Sequence, residues 1–187
     1  GGIITYDDGS TSEWVEPNLS MKGNIFPNMI EFAEGSFTIL EGRMYTQEEI
    51  DAAANVVLVE QGLAELNGFK VGDRISVKVM QDSELQYYNG YLTVEDITME
   101  LEIIGIYDNA QVLDPNDPDY QYMPSYMAPE NGILVPTTAY VANQMGMAEK
   151  MVQYYQEQYP GETWYEDQQN EDNYYYGSVV ILLNDPL

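Results

Sequence analysis

The stretch of residues 40–73 constrains the fold of this chain more than any other part of its sequence. It contains Thr-Gln-Glu-Glu at residues 46–49, which forms a capping box. In that motif the Thr46 hydroxyl accepts a hydrogen bond from the amide three residues on, and Glu49 reaches back to the Thr46 amide. A short helix is therefore predicted to begin here and to run to about Ala54.

A buried strand and a second short helix are predicted to follow. The apolar run at residues 56–59 is typical of a strand covered on both faces. Residues 60–66 predict a helix that ends at Asn67-Gly68, where glycine supplies a left-handed stop. The inward side of this helix is predicted to carry Leu63, Ala64 and Leu66. A Gly-Asp turn at residues 72–73 closes the stretch.

The rest of the chain predicts further strands. Residues 75–79 alternate apolar and polar side chains, which indicates a half-buried strand. Residues 99–107 alternate and then become apolar on both faces, as expected where a strand enters a covered region. Strands are also predicted at residues 90–94 and 178–183 and at residues 132–136, where Pro136 ends the strand.

Two more helices and two long loops are predicted near the C-terminus. Thr137 or Thr138 is expected to cap a helix beginning at Ala139, and a separate helix is expected at residues 148–159. Residues 108–131, rich in proline, and residues 162–176, acidic and aromatic, predict loops.

The predicted fold class is α+β, a mixed and mainly antiparallel sheet with a few short helices and room for a second small lobe. Residues 1–18 predict a loop or an edge strand, and residues 19–40 predict short strands separated by turns. We expect residues 1–187 to form a single domain.

Net charge is the extreme feature of the composition. The chain has 32 acidic and 6 basic residues, for a formal charge of -26. Such a field repels nucleic-acid phosphates and anionic lipid headgroups, so we expect no nucleic-acid partner. It attracts cations and cationic peptides. The simpler interpretation, which we favour, is that the charge keeps an exposed surface soluble.

The chain lacks both cysteine and histidine. Disulfides, thiolate zinc sites and histidine-dependent triads are therefore excluded within it. Carboxylates, tyrosine or lysine would have to perform any acid–base chemistry, but in so acidic a chain no carboxylate pair is distinguishable. We assign no catalytic residue and no cofactor, and we expect a protein that is not an enzyme.

The acidic segment at residues 114–119 raises the question of calcium. Asp114 and Asn116 match the first two ligand positions of an EF-hand loop, but Pro118 occupies the third and no glycine follows. We interpret the segment as a solvated loop stiffened by proline, and we assign no metal site.

Tyrosine and Arg43 are the remaining features. The chain has 17 tyrosines, with runs at residues 87–88, 154–155 and 174–176. Exposed aromatic side chains bind sugars or peptides, although packing is the more frequent use of such residues. Arg43 is one of six basic residues, so it is expected to pair with a carboxylate or to cap carbonyl groups.

In this order the elements resemble the extracytoplasmic domain of MacB/FtsX-like ABC transporter permeases. The resemblance covers about residues 35–140 and combines the capped helix, the buried strand, the Lys-Val-Gly-Asp turn and the strands at residues 101–107 and 133–136. The residues that match the family motifs, in structural rather than catalytic roles, are Gly42, Arg43, Gly72, Asp73, Gly105 and Pro136.

The resemblance implies a non-catalytic domain that is located at the cell membrane, on its extracellular side. It would couple ATP-driven transmembrane motion to export or to extracellular partners. Its expected partners are the transmembrane helices of the same permease and, indirectly, a cytoplasmic ATPase subunit, with an extracellular protein or cationic peptide as a further candidate. No apolar run approaches the roughly 20 residues of a membrane span, so the chain is expected to be an excised soluble domain. The alternative is a secreted glycan- or peptide-binding module that uses its tyrosine-rich surface.

Overall fold

A computed structural model describes residues 2–5, 11–14, 19–110, 123 and 127–174. The strands are β1 (Gly2–Thr5), β2 (Thr11–Trp14), β3 (Ser20–Asn24), β4 (Phe37–Gly42), β5 (Val56–Glu60), β6 (Arg74–Lys78), β7 (Thr98–Asn109) and β8 (Gly132–Pro136). The α-helices are α1 (Ile30–Ala33), α2 (Gln47–Asp51), α3 (Gln61–Asn67), α4 (Asp82–Leu85) and α5 (Thr137–Gln158). Short 3₁₀ turns occupy Gln86–Tyr88, Pro129–Asn131, Glu166–Gln169 and Glu171–Tyr174.

The fold is α+β, as predicted, and its centre is a mixed six-stranded sheet. The strand order is β3-β8-β5-β7-β4, and β6 also pairs with β7. The pairings β4–β7, β6–β7 and β5–β8 are antiparallel, whereas β5–β7 and β3–β8 are parallel. Strands β1 and β2 form a separate antiparallel hairpin.

Strand β7 is the longest strand and organises the sheet. Strand β5 lies along one of its edges. Strands β6 and β4 lie end to end along the other edge, because β6 pairs with residues 98–102 and β4 with residues 105–109. The register with β5 skips Ile104, since Val57 faces Ile103 and Leu58 faces Gly105. This β-bulge marks the place where the two end-to-end strands meet.

Both faces of the central strands β5 and β8 are buried, which explains their continuous apolar runs. On β5, Val57 and Val59 pack into one core cluster while Leu58 packs into the other. The same alternation places Leu134 of β8 with Leu58. Period-2 geometry thus divides β5 and β8 between two cores. A third, smaller cluster is formed by Leu92, Ile97 and Met147.

The prediction of a strand at residues 90–94 was wrong. Asn89 and Gly90 both have positive φ, 47° and 88°, and reverse the chain there. The Asp96 carboxylate then accepts from the Thr93 amide at 2.9 Å and holds a second turn. Leu92 is buried as a core residue of this turn without any strand pairing.

The two helices predicted after Pro136 are one helix, α5. It continues through Gly146 because burial of Met147, Ala148 and Val152 offsets the low helix propensity of glycine. Neither threonine caps it. Helix α5 begins at Thr137, and the Thr138 hydroxyl instead donates to the Ile50 carbonyl.

Three smaller differences from the predictions concern single residues or element ends. Leu66 was expected to face inward, but it is 82% exposed on α3. Within residues 19–40, the segment at Ile30–Ala33 is a helical turn rather than a strand. Strand β7 extends through Asp108 and Asn109, at the start of the predicted loop.

The strand predicted at residues 178–183 and the acidic segment at residues 114–119 lie outside the described residues. Within the described part of the chain, no helix combines the length and apolar character needed to cross a membrane.

Candidate functional site

Three of the motif residues meet at the bulge of β7. Gly42 lies opposite Gly105 in the β4–β7 register, and the Arg43 amide donates to the Ile104 carbonyl at 3.0 Å. A Cβ on Gly105 would lie 2.6 Å from the Arg43 carbonyl oxygen and 3.3 Å from Leu58. Gly42 has φ of +74°, and a Cβ there would collide with the Ile104 carbonyl oxygen. Glycine at both positions therefore lets the two backbones approach closely.

The Gly-Asp turn reaches the same part of β7. The Gly72 amide donates to the Ile103 carbonyl at 2.7 Å, and the Ile103 amide donates to the Asp73 carbonyl at 2.8 Å. The Asp73 carboxylate closes the turn by accepting from the Lys70 amide at 2.8 Å. Gly72 has φ of +94°, a conformation that favours glycine.

Successive carbonyls of β7, at Ile103 and Ile104, thus bind the Gly72 and Arg43 amides. In a regular strand they would face opposite edges, so the bulge is what turns both toward the junction of β6 and β4. We call the five residues Gly42, Arg43, Gly72, Asp73 and Gly105 the β7 junction. Pro136 lies apart from it, at the end of β8 beside Asn24 and at the start of α5.

Arg43 pairs with a carboxylate, as expected, and the partner is Glu49. The guanidinium donates to both oxygens of Glu49, at 2.7 and 2.8 Å, and to the Met44 carbonyl at 3.0 Å. Glu49 also accepts from the Thr46 amide, which completes the predicted capping box. The hydrogen bond from Arg43 lowers the pKa of Glu49. The ion pair therefore ties the β7 junction to the first turn of α2.

Sequence reasoning did not single out Glu60, which is 5% exposed. It caps α3 through its side chain, which accepts from the Gly62 amide. Burial raises the pKa of its carboxyl group, against the backbone hydrogen bonds from Gly62, Leu63 and Asn109. Its position at the end of an apolar strand, just before a helix, is the sequence signal that could have identified it.

A second candidate surface is aromatic. We call the residues Glu84, Tyr87, Tyr88, Tyr154, Tyr155 and Tyr159, which line an open groove of about 420 Å³, the tyrosine groove. Its rings come from the 3₁₀ turn after α4, from α5 and from the residue that follows α5. The ring centres of Tyr88 and Tyr154 are 5.7 Å apart, and those of Tyr154 and Tyr155 are 5.3 Å apart.

Further rings continue this surface beyond the groove. The ring centre of Trp164 lies 5.0 Å from that of Tyr155 and 6.0 Å from that of Tyr159. The ring centres of Tyr91 and Tyr154 are 5.6 Å apart. The tyrosine pairs at residues 87–88 and 154–155 lie on a 3₁₀ turn and on α5. The spacing of four between Tyr155 and Tyr159 was the signal for a shared helical face.

Carboxylates border the aromatic surface. Glu84 lines the groove, and its negative charge contributes to raising the pKa of Tyr88, although burial is the largest cause. The Glu157 carboxylate lies beside the Tyr91 hydroxyl and raises the pKa of Tyr91. Among the described residues, no group of three or more acidic side chains is placed to hold a metal ion.

Comparisons with known proteins identify a family and a relative of this chain. The family described as MacB-like periplasmic core domain matches residues 5–185. The chain is 29% identical over 131 residues to the uncharacterized ABC transporter permease YclI of Bacillus subtilis (strain 168). That alignment covers 70% of the chain but 23% of the relative, so the chain spans about a quarter of the relative's length. No solved structure matches the chain significantly.

Proposed function

Because the chain belongs to the MacB-like periplasmic core domain family, we propose that it is the extracytoplasmic domain of an ABC transporter permease and passes transmembrane motion outward. In this role it moves with the transmembrane helices of the same polypeptide. The ATP hydrolysis that drives the motion belongs to a cytoplasmic ATPase subunit, and the domain itself performs no catalysis. It lies on the outer side of the cell membrane.

The β7 junction is the observation that carries the coupling role. A domain that passes on a displacement must move as a rigid body rather than deform at an internal hinge. Here β4 and β6 are both fixed to one edge of β7 at adjacent carbonyls, and Arg43 adds a bidentate bond to α2. The central strands of the sheet are packed on both faces, so a force applied to one of them is shared by its neighbours.

The test is to decouple the domain in the full-length permease, assembled with its ATPase. Flexible Gly-Ser linkers would be inserted where the domain joins the transmembrane helices. A matched control carries a linker of equal length after Gly35, an exposed turn residue with open space around it. We expect the linkers beside the transmembrane helices to abolish transport while basal ATP hydrolysis remains, and the control to transport normally. Normal transport by the variant with linkers beside the transmembrane helices would refute the coupling role.

A binding role is the second candidate function, and the tyrosine groove is the observation that favours it. Tyr87 is 67% exposed and Tyr159 is 50% exposed, so both rings offer contact area to a partner. This role is compatible with coupling, because a domain that moves with the transporter can also hold a ligand outside the membrane.

A further inference from the structure

Packing explains only part of the aromatic surface. Tyr165 is buried, and Tyr88 packs against the small core of Leu92, Ile97 and Met147. Tyr159 and Trp164, in contrast, are 50% and 53% exposed, and their ring centres lie 6.0 Å apart, while Tyr87 is 67% exposed in the groove lining. Exposed rings in contact form a contiguous patch, and such patches mark interaction sites.

Charge indicates what this patch accommodates. The groove lining includes Glu84 and no lysine or arginine. Glu157 lies beside Tyr91, and Glu162 is exposed two residues before Trp164. The two nearest cations along the sequence are each paired with a carboxylate: Lys150 with Asp96 at 2.6 Å and Lys78 with Asp82 at 2.7 Å. Ring faces carry negative electrostatic potential, so rings and carboxylates favour the same kind of ligand group, a cation.

We propose that the tyrosine groove binds a cationic peptide segment, whose lysine or arginine side chains lie on the tyrosine faces with their charges directed to Glu84 and Glu157. The volume of about 420 Å³ lies within the roughly 300–1,000 Å³ of typical ligand sites. The formal charge of -26 draws such a segment toward the domain, and the groove gives it a fixed place to bind.

A neutral glycan is the competing ligand for an aromatic surface. It would stack on Tyr87 and Tyr159. Because it is uncharged, it would gain nothing from the net negative field, and it has no positive charge to pair with Glu84 and Glu157. The carboxylate border therefore favours the peptide. The inference does not depend on the coupling role, because binding is measured on the chain alone and coupling on the full transporter.

The test measures binding of a fluorescent peptide of alternating lysine and glycine to this 187-residue chain by anisotropy. The comparison peptide has glutamine in place of lysine. We expect the lysine peptide to bind and the glutamine peptide to bind at least about ten-fold more weakly, with the affinity falling as salt rises. Equal binding of both peptides, or binding of neutral oligosaccharides alone, would overturn the proposal.

Variants then separate a built site from the general acidic field. Glu84→Gln with Glu157→Gln is compared with Glu41→Gln with Glu48→Gln, two exposed carboxylates that do not line the groove. Both pairs change the net charge equally. We expect the groove pair to weaken binding about ten-fold and the control pair less than about two-fold. Equal losses would show that the field alone attracts the peptide.

The rings are tested by Tyr87→Leu with Tyr159→Leu against Tyr87→Phe with Tyr159→Phe. Leucine keeps an apolar side chain without a ring face, whereas phenylalanine keeps the ring. We expect the leucine pair to lose affinity and the phenylalanine pair to retain most of it, with circular dichroism confirming that both remain folded. Unchanged affinity in the folded leucine pair would contradict the proposal.

Discussion

Gly42, the residue directly before Arg43 in the chain, and Gly105 face one another across the β4–β7 pairing. Neither position has space for a side chain. A Cβ on Gly105 would meet backbone as well as Leu58, and backbone yields less readily than the end of a flexible side chain. This close approach brings the Arg43 amide to β7, so the β7 junction depends on it.

Gly105→Ala should destabilise the domain by about 1–3 kcal/mol, the usual cost of overpacking a close contact. The physical reason is the approach of 2.6 Å to the Arg43 carbonyl. Urea unfolding followed by circular dichroism measures the change. The matched control is Gly146→Ala on α5, which has open space around it and should gain about 0.5–1 kcal/mol from improved helix propensity. Equal effects of the two substitutions would contradict the packing seen at Gly105.

Glu49→Ala should cost more stability than Arg43→Met. Arg43→Met removes an ion pair whose arginine side chain is 53% exposed, so the loss should stay below about 1 kcal/mol. Glu49→Ala removes the same pair and half of the capping box, for about 1–2 kcal/mol. Chemical denaturation compares the two variants. If Arg43→Met were the more damaging change, the capping role of Glu49 would be refuted.

The pH dependence of Glu49→Gln follows from the lowered pKa of the parent carboxyl group. A carboxyl group whose pKa is lower in the folded state stabilises that state above its unfolded pKa, and the contribution is lost as pH falls through the folded pKa. The stability lost in the variant should therefore be larger at about pH 7 than at about pH 3. Unfolding free energies measured across this range test the sign, and a deficit that grows toward acid would contradict it.

Glu60→Gln should show the opposite dependence. Burial raises the pKa of Glu60 in the folded chain above its ordinary value of 4.5. Its favourable contribution is fully present below the unfolded pKa and is lost as pH rises through the folded pKa. Relative to the parent, the variant should therefore gain stability between about pH 4 and about pH 7. The same unfolding measurements test this. If the difference in unfolding free energy between variant and parent stayed constant with pH, burial would not raise the pKa of Glu60.

Local signals predicted the stretch from the capping box to β6 well. The capping box, the left-handed Gly68 and the alternation of Ile75 and Val77 each depend on residues close together in sequence, and each is present in the structure. The error at residues 90–94 came from an unrecognised turn, because Asn89 and Gly90 both adopt positive φ. The error in α5 arose where tertiary burial of Met147 and Val152 overrode the low helix propensity of Gly146.

The candidate sites are assembled from distant segments, which limits what sequence alone predicts. The motif residues around Gly72 and Gly105 were identified by resemblance, but their meeting at one bulge depends on strand order. The ring of Tyr88 reaches Tyr155 only because α5 is continuous past Gly146. The choice of Glu49 as the partner of Arg43 likewise required the geometry of the first turn of α2.

Rigid-body motion of the domain with the transporter is the central claim, and distances between spin labels in the full-length permease test it most directly. One label pair lies within the domain, at exposed Glu48 and Glu149 replaced by cysteine, and a second pair joins Glu48 to a transmembrane helix that is not connected to the domain. The chain itself contains no cysteine that would interfere. Between nucleotide-free and ATP-bound transporter, we predict that the second distance changes and the internal distance does not. An unchanged second distance, or an internal distance that changes with it, would contradict the account.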